Sequence, residues 1–535
     1  MQRVPLLLQA ANWIGRFGIF GLLAASVVGS VLGDPAPTFH ERWRPQYHFT
    51  PPETWMNDPN GMVFYDGEYH LFYQNNPYGN RWGHMSWGHA VSRDLVSWEH
   101  LPLAIPEADG IMIFSGSAVV DWKNTTGFGR DGKPPLVAIY TGHHTGRPLQ
   151  TQNLAYSTDR GRTWTKYSGN PVLDLGEADF RDPKVFWHPP TGRWIMAVSW
   201  PVHRQIRLYG SPNLKSWTHL SDFGPAGSTN GIWECPDLFP VSVEGRRGET
   251  RWVLVVNVGS GAPAGGSGTQ YFVGEFDGTR FVPDPGTPAG SGLWADFGRD
   301  FYAAVSWSDI PARDGRRLWL GWMSNWTYAN DVPTYPWRSA MTAPRELRLR
   351  PTPAGLRLIQ APVGELARLR GSREHLGSAS LPRAAEWLQS QQIPSGLAEL
   401  DLDLDSVPSQ GAVELTLHHG TTGETRIVAD LGAGTLAVDR TRAGRSEFSP
   451  AFAGVHRAPL RIVGGRLQLR LLTDVSSLEV FSQQGETVLT DLVLPESSGL
   501  RFSLQATGPA ATVHIRSISL WKLQPAGTKL PIVTP

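Results

Sequence analysis

Lys184-Val185-Phe186-Trp187-His188-Pro189-Pro190-Thr191-Gly192-Arg193-Trp194-Ile195-Met196-Ala197-Val198-Ser199-Trp200 reads as one apolar strand, a polar turn and a second, richer apolar strand. The two prolines and the glycine break any continuous element, and the flanking aromatic and β-branched residues suit a buried sheet. The same unit recurs on both sides of this stretch. Residues 62–65 pair with 70–74 across Asp66-Gly67, and 117–120 precede 136–141. Downstream, 237–241 lead to 252–258, and 301–307 lead through Asp314-Gly315 to 318–326. The units open near Asp58, Ser115, Asp182, Glu234 and Asp300, at offsets of 57, 67, 52 and 66 residues. Repeats of that length, each built of short strands, predict a β-propeller of five blades. In a propeller the first strand of each blade lines the central channel, so equivalent positions converge on one funnel.

A second repeat marks the turns. Ser92-Arg93-Asp94-Leu95-Val96-Ser97-Trp98 and Ser211-Pro212-Asn213-Leu214-Lys215-Ser216-Trp217 match, and 157–164 is a longer version. In each, an Asp or Asn side chain locks a tight turn, and the closing Trp is expected to be buried. Past Pro344-Arg345-Glu346-Leu347 the character changes: Trp becomes scarce, and alternating strands appear at 413–417, 467–472 and 478–481. The chain therefore reads as all-β, a propeller over 40–350, a connector at 351–364, a β-sandwich over 365–525 and a tail at 526–535. Residues 384–392 fit either a helical turn or a loop.

Composition agrees with this plan. A chain of 535 residues exceeds what one core supports, so two domains are expected. The 58 Gly and 43 Pro suit many short strands and turns. Lys plus Arg equal Asp plus Glu at 48 each, so no charged field draws in nucleic acid or an anionic membrane, and a neutral partner is favoured. Many of the 22 Trp must fill space between sheets, but an exposed indole face also suits a sugar ring. The one cysteine, Cys235, excludes an internal disulfide and a Cys-based metal site. Arg3 and Arg16 precede the uncharged stretch 17–33, which reads as a signal peptide over 1–33, with a membrane anchor as the alternative. The sequons Asn124-Thr125-Thr126 and Asn325-Trp326-Thr327 matter only if the host glycosylates exported proteins.

Three acids stand at blade openings in matching contexts: Asn57-Asp58-Pro59, Arg181-Asp182-Pro183 and Trp233-Glu234-Cys235-Pro236. A lone Asp-Pro is an ordinary turn pair. Three acids at equivalent places in a repeat, all facing one channel, would repel one another and call for a function. Cleavage of a glycosidic bond with retention needs two carboxyls about 5–5.5 Å apart, an ionised nucleophile and an acid of raised pKa.

The stretches Trp55-Met56-Asn57-Asp58-Pro59-Asn60-Gly61, Phe114-Ser115-Gly116-Ser117, Phe180-Arg181-Asp182-Pro183-Lys184-Val185-Phe186 and Trp233-Glu234-Cys235-Pro236-Asp237-Leu238-Phe239 resemble the signature motifs of glycoside hydrolase family 32. That family holds invertases, inulinases and levanases. The resemblance continues through 83–90, 296–303 and 337–347, and covers almost the whole propeller. It implies a five-bladed propeller with a β-sandwich behind it, no cofactor and no metal. It further implies Asp58 as nucleophile, Glu234 as general acid/base, and Asp182 with Arg181 as the groups that hold fructose hydroxyls and stabilise the transition state. Asn57, Gln74, Trp82, Phe114, Ser115 and Trp326 match pocket-lining positions. Cys235 is compatible with tuning Glu234 or with simple buried filling. His143-His144 lack a third ligand at metal spacing and read as loop.

The residues around Glu234 and over 83–90 look more like levanases and exo-inulinases than invertases. The expected substrate is therefore a fructan, levan or inulin, with sucrose as a further one, met by a secreted or periplasmic enzyme that stays off the membrane once its signal is removed. A fructosyltransferase shares the same intermediate and stays open, as does a non-catalytic fructan-binding propeller. Residues 157–164 also have the form of a sialidase Asp-box. That chemistry needs an arginine cluster and a tyrosine nucleophile, and leaves the three acids without a role.

Overall fold

The computed structural model describes residues 38–285 and 292–528. The proposed signal peptide and the end of the tail lie outside them. Five sheets, antiparallel but for one short parallel pair in the first, follow one another along the first part of the chain. Their first strands are Thr54–Tyr65, Ile111–Val120, Arg181–His188, Trp233–Ser242 and Tyr302–Ser306. Each of these touches the next, and the fifth touches the first, so the five form a closed ring around a channel. The ring is latched by Trp337–Arg338, which pairs in parallel with Thr54 and Trp55 in the first sheet.

The second strand of each sheet is buried on both faces because neighbouring sheets clasp it. In the strand Leu136–His144, alternate side chains point opposite ways. Leu136, Ala138 and Tyr140 pack with Phe72 and Trp87 of the first sheet, whereas Val137 and Ile139 pack with Val185 and Met196 of the third. The same division holds farther round: Leu254 and Val256 face the third sheet, and Val253 and Val255 face the fifth. The locked turns form as expected, with Asp94 and Asn213 each accepting two backbone N–H groups. Their closing tryptophans differ. Trp98 is buried, but Trp164 and Trp217 are only half-buried and donate their indole N–H to Gly161 and Leu214 carbonyls.

The fifth sheet runs on through Arg345–Thr352 to Gly355–Pro362. The second of these strands falls inside the stretch 351–364 that the sequence reads as connector. Leu358 and Ile359 are buried there, and all eight residues pair with the preceding strand. Two sheets follow. One holds seven strands, with Ala398–Asp405 between His514–Leu523 and Leu467–Asp474, and the other holds five, ending on Leu500–Thr507. Leu400, Leu402 and Leu469 of the first share a core with Leu415, Ile427 and Phe502 of the second. This is a sandwich, with Leu, Asp, Leu, Asp alternating in and out along residues 400–405. The stretch 384–392 resolves into the helix Leu381–Ser390, which has Pro in its first turn and buries Leu381, Ala384 and Leu388.

The propeller and sandwich meet through buried charge. Arg345 is fully buried and donates to Asp296 and Gln360 through one nitrogen, and to Glu479 and Thr490 through another. His48 is wedged between Asp474 at 2.9 Å and Glu479 at 2.8 Å. Residues 296–300 lie along the sandwich strand Thr487–Leu492, with Phe297 and Asp300 N–H donating to Val488 and Thr490 carbonyls. Gly298 is required there, because a Cβ would stand 2.1 Å from the Thr490 carbonyl oxygen.

Burial works to lower the His48 pKa, but its two carboxylate partners outweigh that and raise it to about 9. Burial likewise works to raise Glu479, and Arg345 and His48 overcome it to hold Glu479 at about 2. A histidine raised in this way adds stability that is complete below its unfolded value of 6.5 and fades as pH climbs through about 9. The difference in unfolding free energy between the wild type and His48→Gln should therefore be greatest below pH 6.5 and shrink toward pH 9. A difference that stays constant over that range in denaturant titrations would show that His48 is not charged by folding.

Candidate active site

The first strand of every propeller sheet carries an irregularity in register at the same end. In each, one extra residue opposes its neighbour, at Asn57-Asp58, Ser115, Asp182-Pro183, Cys235-Pro236 and Ala303-Ala304. Such bulges bend a strand and re-aim its side chains. Asp182, Cys235 and Ala303 adopt φ of 66°, 43° and 53°, a left-handed backbone that costs a non-glycine residue free energy and is tolerated where the surroundings fix it.

The result is a cavity of about 370 Å³ at that mouth of the channel. All ten residues singled out from the sequence line it: Asn57, Asp58, Gln74, Trp82, Phe114, Ser115, Arg181, Asp182, Glu234 and Trp326. Asp58 is held from three sides. The Ser115 hydroxyl donates to Oδ2 at 2.8 Å, the Asn57 amide donates to Oδ1 at 3.0 Å, and Cys235 Sγ stands 3.4 Å from Oδ2. Asn57 is itself oriented by the Trp55 indole N–H at 2.7 Å. Asp182 accepts the Cys235 backbone N–H at 3.0 Å, and its own N–H donates to Thr141. Glu234 is gripped between Arg181, whose Nε donates at 3.1 Å, and the Tyr302 hydroxyl at 2.5 Å.

Three acids thus surround one cation, since Arg181 also pairs with Asp179 at 2.6 Å and feels the charge of Asp182 beside that of Glu234. Burial, followed by the charge of Glu234, raises the Asp58 pKa, and its three hydrogen-bond partners oppose the rise. Burial lifts Asp182 to about 7, against the pull of Arg181. Burial also pushes the Cys235 thiol well above its ordinary value, with Asp182 and Asp58 adding to the effect. Within this buried cluster Asp182 keeps its proton to higher pH than an isolated carboxyl would.

Aromatic surfaces line the cavity too. Trp82 is 41% exposed and meets Phe114 edge-on, and Trp326 leans on Trp55 and Trp322. Gln74 is buried with its Nε2 aimed at no protein acceptor. Asn325, beside Trp326, is fully buried and donates to the Ser267 and Arg299 carbonyls, so this sequon is a structural turn and presents no surface amide.

Four residues escape the sequence reading. His143, read as loop, ends the strand Leu136–His144 and stacks on Phe114 at 4.6 Å with planes 2° apart. Gln150 accepts from Phe180 N–H and Arg181, and Asp179 and Tyr302 complete the cage around Arg181 and Glu234. Tyr302 lies within a stretch flagged by resemblance, so it was within reach. His143 and Gln150 follow no motif and are placed by pairing between strands, and Asp179 lies in the loop just before the motif that opens at Phe180.

Residues 48–362 match the glycosyl hydrolases family 32 N-terminal domain, and 365–522 match the family 32 C-terminal domain. The chain belongs to glycosyl hydrolase family 32. It is 49% identical over 501 residues to a levanase of Bacillus subtilis (strain 168), covering 93% of this chain and 72% of that one. It is 40% identical over 529 residues to an extracellular exo-inulinase of Aspergillus ficuum, covering 92% and 97%. The crystal structure of the exo-inulinase from Aspergillus awamori superposes with a TM-score of 0.82 at 36% identity, covering 91% of this chain and 99% of that one. The protein is accordingly a glycosidase of the fructosidase kind, a hydrolase of fructans or other fructosides.

Proposed function

We propose that the chain is an exported fructan hydrolase that releases fructose from levan or inulin, and also cleaves sucrose, with retention at the anomeric carbon. Asp58 attacks that carbon as nucleophile. Glu234 protonates the departing oxygen and then takes a proton from the incoming water. Asp182 and Arg181 hold the fructosyl hydroxyls, and the Asp182 carboxylate stabilises the positive charge of the transition state. The observation that carries this reading is the convergence of Asp58, Asp182 and Glu234 on one cavity with aromatic walls. The levanase and exo-inulinase likeness favours a polymer over sucrose alone. Export suits a polymeric substrate, which cannot enter a cell intact. Among the described residues no helix is long and apolar enough to cross a membrane.

The experiment is product analysis by chromatography over a time course on sucrose, inulin and levan. Fructose alone from the start, fastest from a polymer, supports the reading and names the polymer. Oligosaccharides that grow beyond the substrate would move transfer to the front, and no product from any of the three would sink it. Asp182→Asn keeps size and hydrogen bonding but removes the charge that faces the oxocarbenium. Its kcat should fall about 10²- to 10³-fold with little change in unfolding temperature.

A further inference from the structure

The inner strands that begin at the catalytic mouth end at a second cavity, of about 570 Å³, at the other end of the channel. Four indoles line it, of which Trp194 is buried and the other three are more open. Trp122 is 61% exposed and is fixed by Asp309, which accepts its N–H at 2.9 Å. Trp187 is half-buried with the Lys123 ammonium 4.4 Å from its ring centre, and Trp252 is half-buried beside Phe186.

The polar floor is incomplete. Asp237 is fully buried, and its Oδ2 accepts the Ser306 N–H at 2.6 Å and lies 3.2 Å from Lys184 Nζ. Its Oδ1 has no protein partner. The Arg317 Nε is also buried without an acceptor. A buried acceptor and a buried donor left unpaired each cost free energy, and both line one cavity. A ligand that answers both must donate and accept, as a hydroxyl does. Lys184 and Asp237 neutralise each other, and Asp309 partly offsets Lys123 and Arg317, so the cavity lacks the strong positive field that phosphate or carboxylate would need. Flat apolar faces together with paired donor and acceptor suit a neutral sugar ring.

We propose that this cavity is a second, non-catalytic carbohydrate site, which takes a neutral sugar unit from a polysaccharide. Asp237 is ion-paired and Asp309 is committed to Trp122 and to the Val120 N–H, so neither is free for acid–base chemistry. A site at the mouth opposite the catalytic one tethers the protein to a long or branched polymer while another chain end is processed, which raises the local concentration of ends. Only the choice of probe polymer rests on the proposed hydrolysis.

The test is native affinity electrophoresis in gels containing levan or inulin, with Glu234→Ala throughout to prevent turnover. Adding Trp122→Ala and Trp187→Ala together should weaken retardation about tenfold in at least one gel. In the otherwise wild-type enzyme, the same pair should leave kcat/KM on sucrose unchanged. Trp122→Ala alone, at an exposed position, should give part of the effect without any risk to folding. Equal retardation of parent and Trp122→Ala in both gels, or no retardation of the parent, would overturn the proposal. Loss of retardation in a protein that releases no fructose from any polymer would uphold the second site and reject the hydrolase reading instead.

Discussion

Asp58→Ala and Glu234→Ala should each lower kcat on sucrose or levan by about 10⁴-fold or more, with the unfolding transition kept. The size follows from the proposed roles: removing the nucleophile abolishes the covalent path, and removing the acid leaves a poor leaving group unprotonated. The two losses should differ in kind. Azide needs no general base, so with an activated fructosyl donor it should restore part of the turnover of Glu234→Ala and yield fructosyl azide. In Asp58→Ala azide can only take the place of the missing carboxylate in a single displacement, so any azide formed there has the inverted configuration, whereas Glu234→Ala gives the retained one. Stability gives an independent check. Burial and then the charge of Glu234 raise the Asp58 pKa, and burial with the charges of Glu234 and Asp58 raises that of Asp182. Removing one carboxyl relieves that repulsion, so the Asp58→Ala unfolding temperature should not fall far even though Ser115 and Asn57 lose a partner. Near-wild-type turnover in either variant would end the assignment.

Arg345→Met should destabilise the protein by about 3–5 kcal/mol, the largest loss expected outside the catalytic cavity. Arg345 is completely buried and is the shared partner of Asp296 and Glu479, which are buried as well. Methionine fills much of the volume but leaves Asp296 without its cation and Glu479 with His48 alone. Uncompensated buried charge costs far more than a surface pair ever gains. The matched control is Arg348→Met. Arg348 pairs with Glu346 at 2.7 Å but is 55% exposed at the side chain, and its loss should cost about 0.5 kcal/mol or less. Urea titrations of both variants supply the comparison. Similar costs in the two would mean that the domain junction relaxes enough to admit water around Asp296 and Glu479.

The contrast between these two sites shows what could be read in the sequence. Asp58, Asp182 and Glu234 each have a proline within the next two residues at the start of an apolar run, a short-range signal, and the spacing of five such starts places them around one channel. The aromatic walls and Arg181 came with the same motifs. What stayed hidden depends on pairing between distant segments. The strand Gly355–Pro362 carries apolar residues, yet only its partner Arg345–Thr352 makes it part of the propeller. His143 and Gln150 occupy neighbouring strands whose register alone brings them to Arg181. The charge lattice joins His48 to Glu479 across 431 positions and Arg345 to Glu479 across 134, and no local pattern announces either. Residues 296–303 were read as part of the catalytic half, but Asp296 and Asp300 chiefly dock the sandwich, and only Tyr302 reaches the acid Glu234.

The latch between Trp337–Arg338 and Thr54-Trp55 has a consequence for synthesis. Asp58 stands three residues beyond Trp55, so the wall that carries it is not braced on that side until a stretch nearly three hundred residues later has been made. A nascent chain bearing all three acids is still an open arc, with unpaired strand edges at both ends and no enclosed pocket between them. Catalytic competence therefore arrives late and all at once, when the ring shuts. A half-made chain has no assembled site with which to act on a sugar.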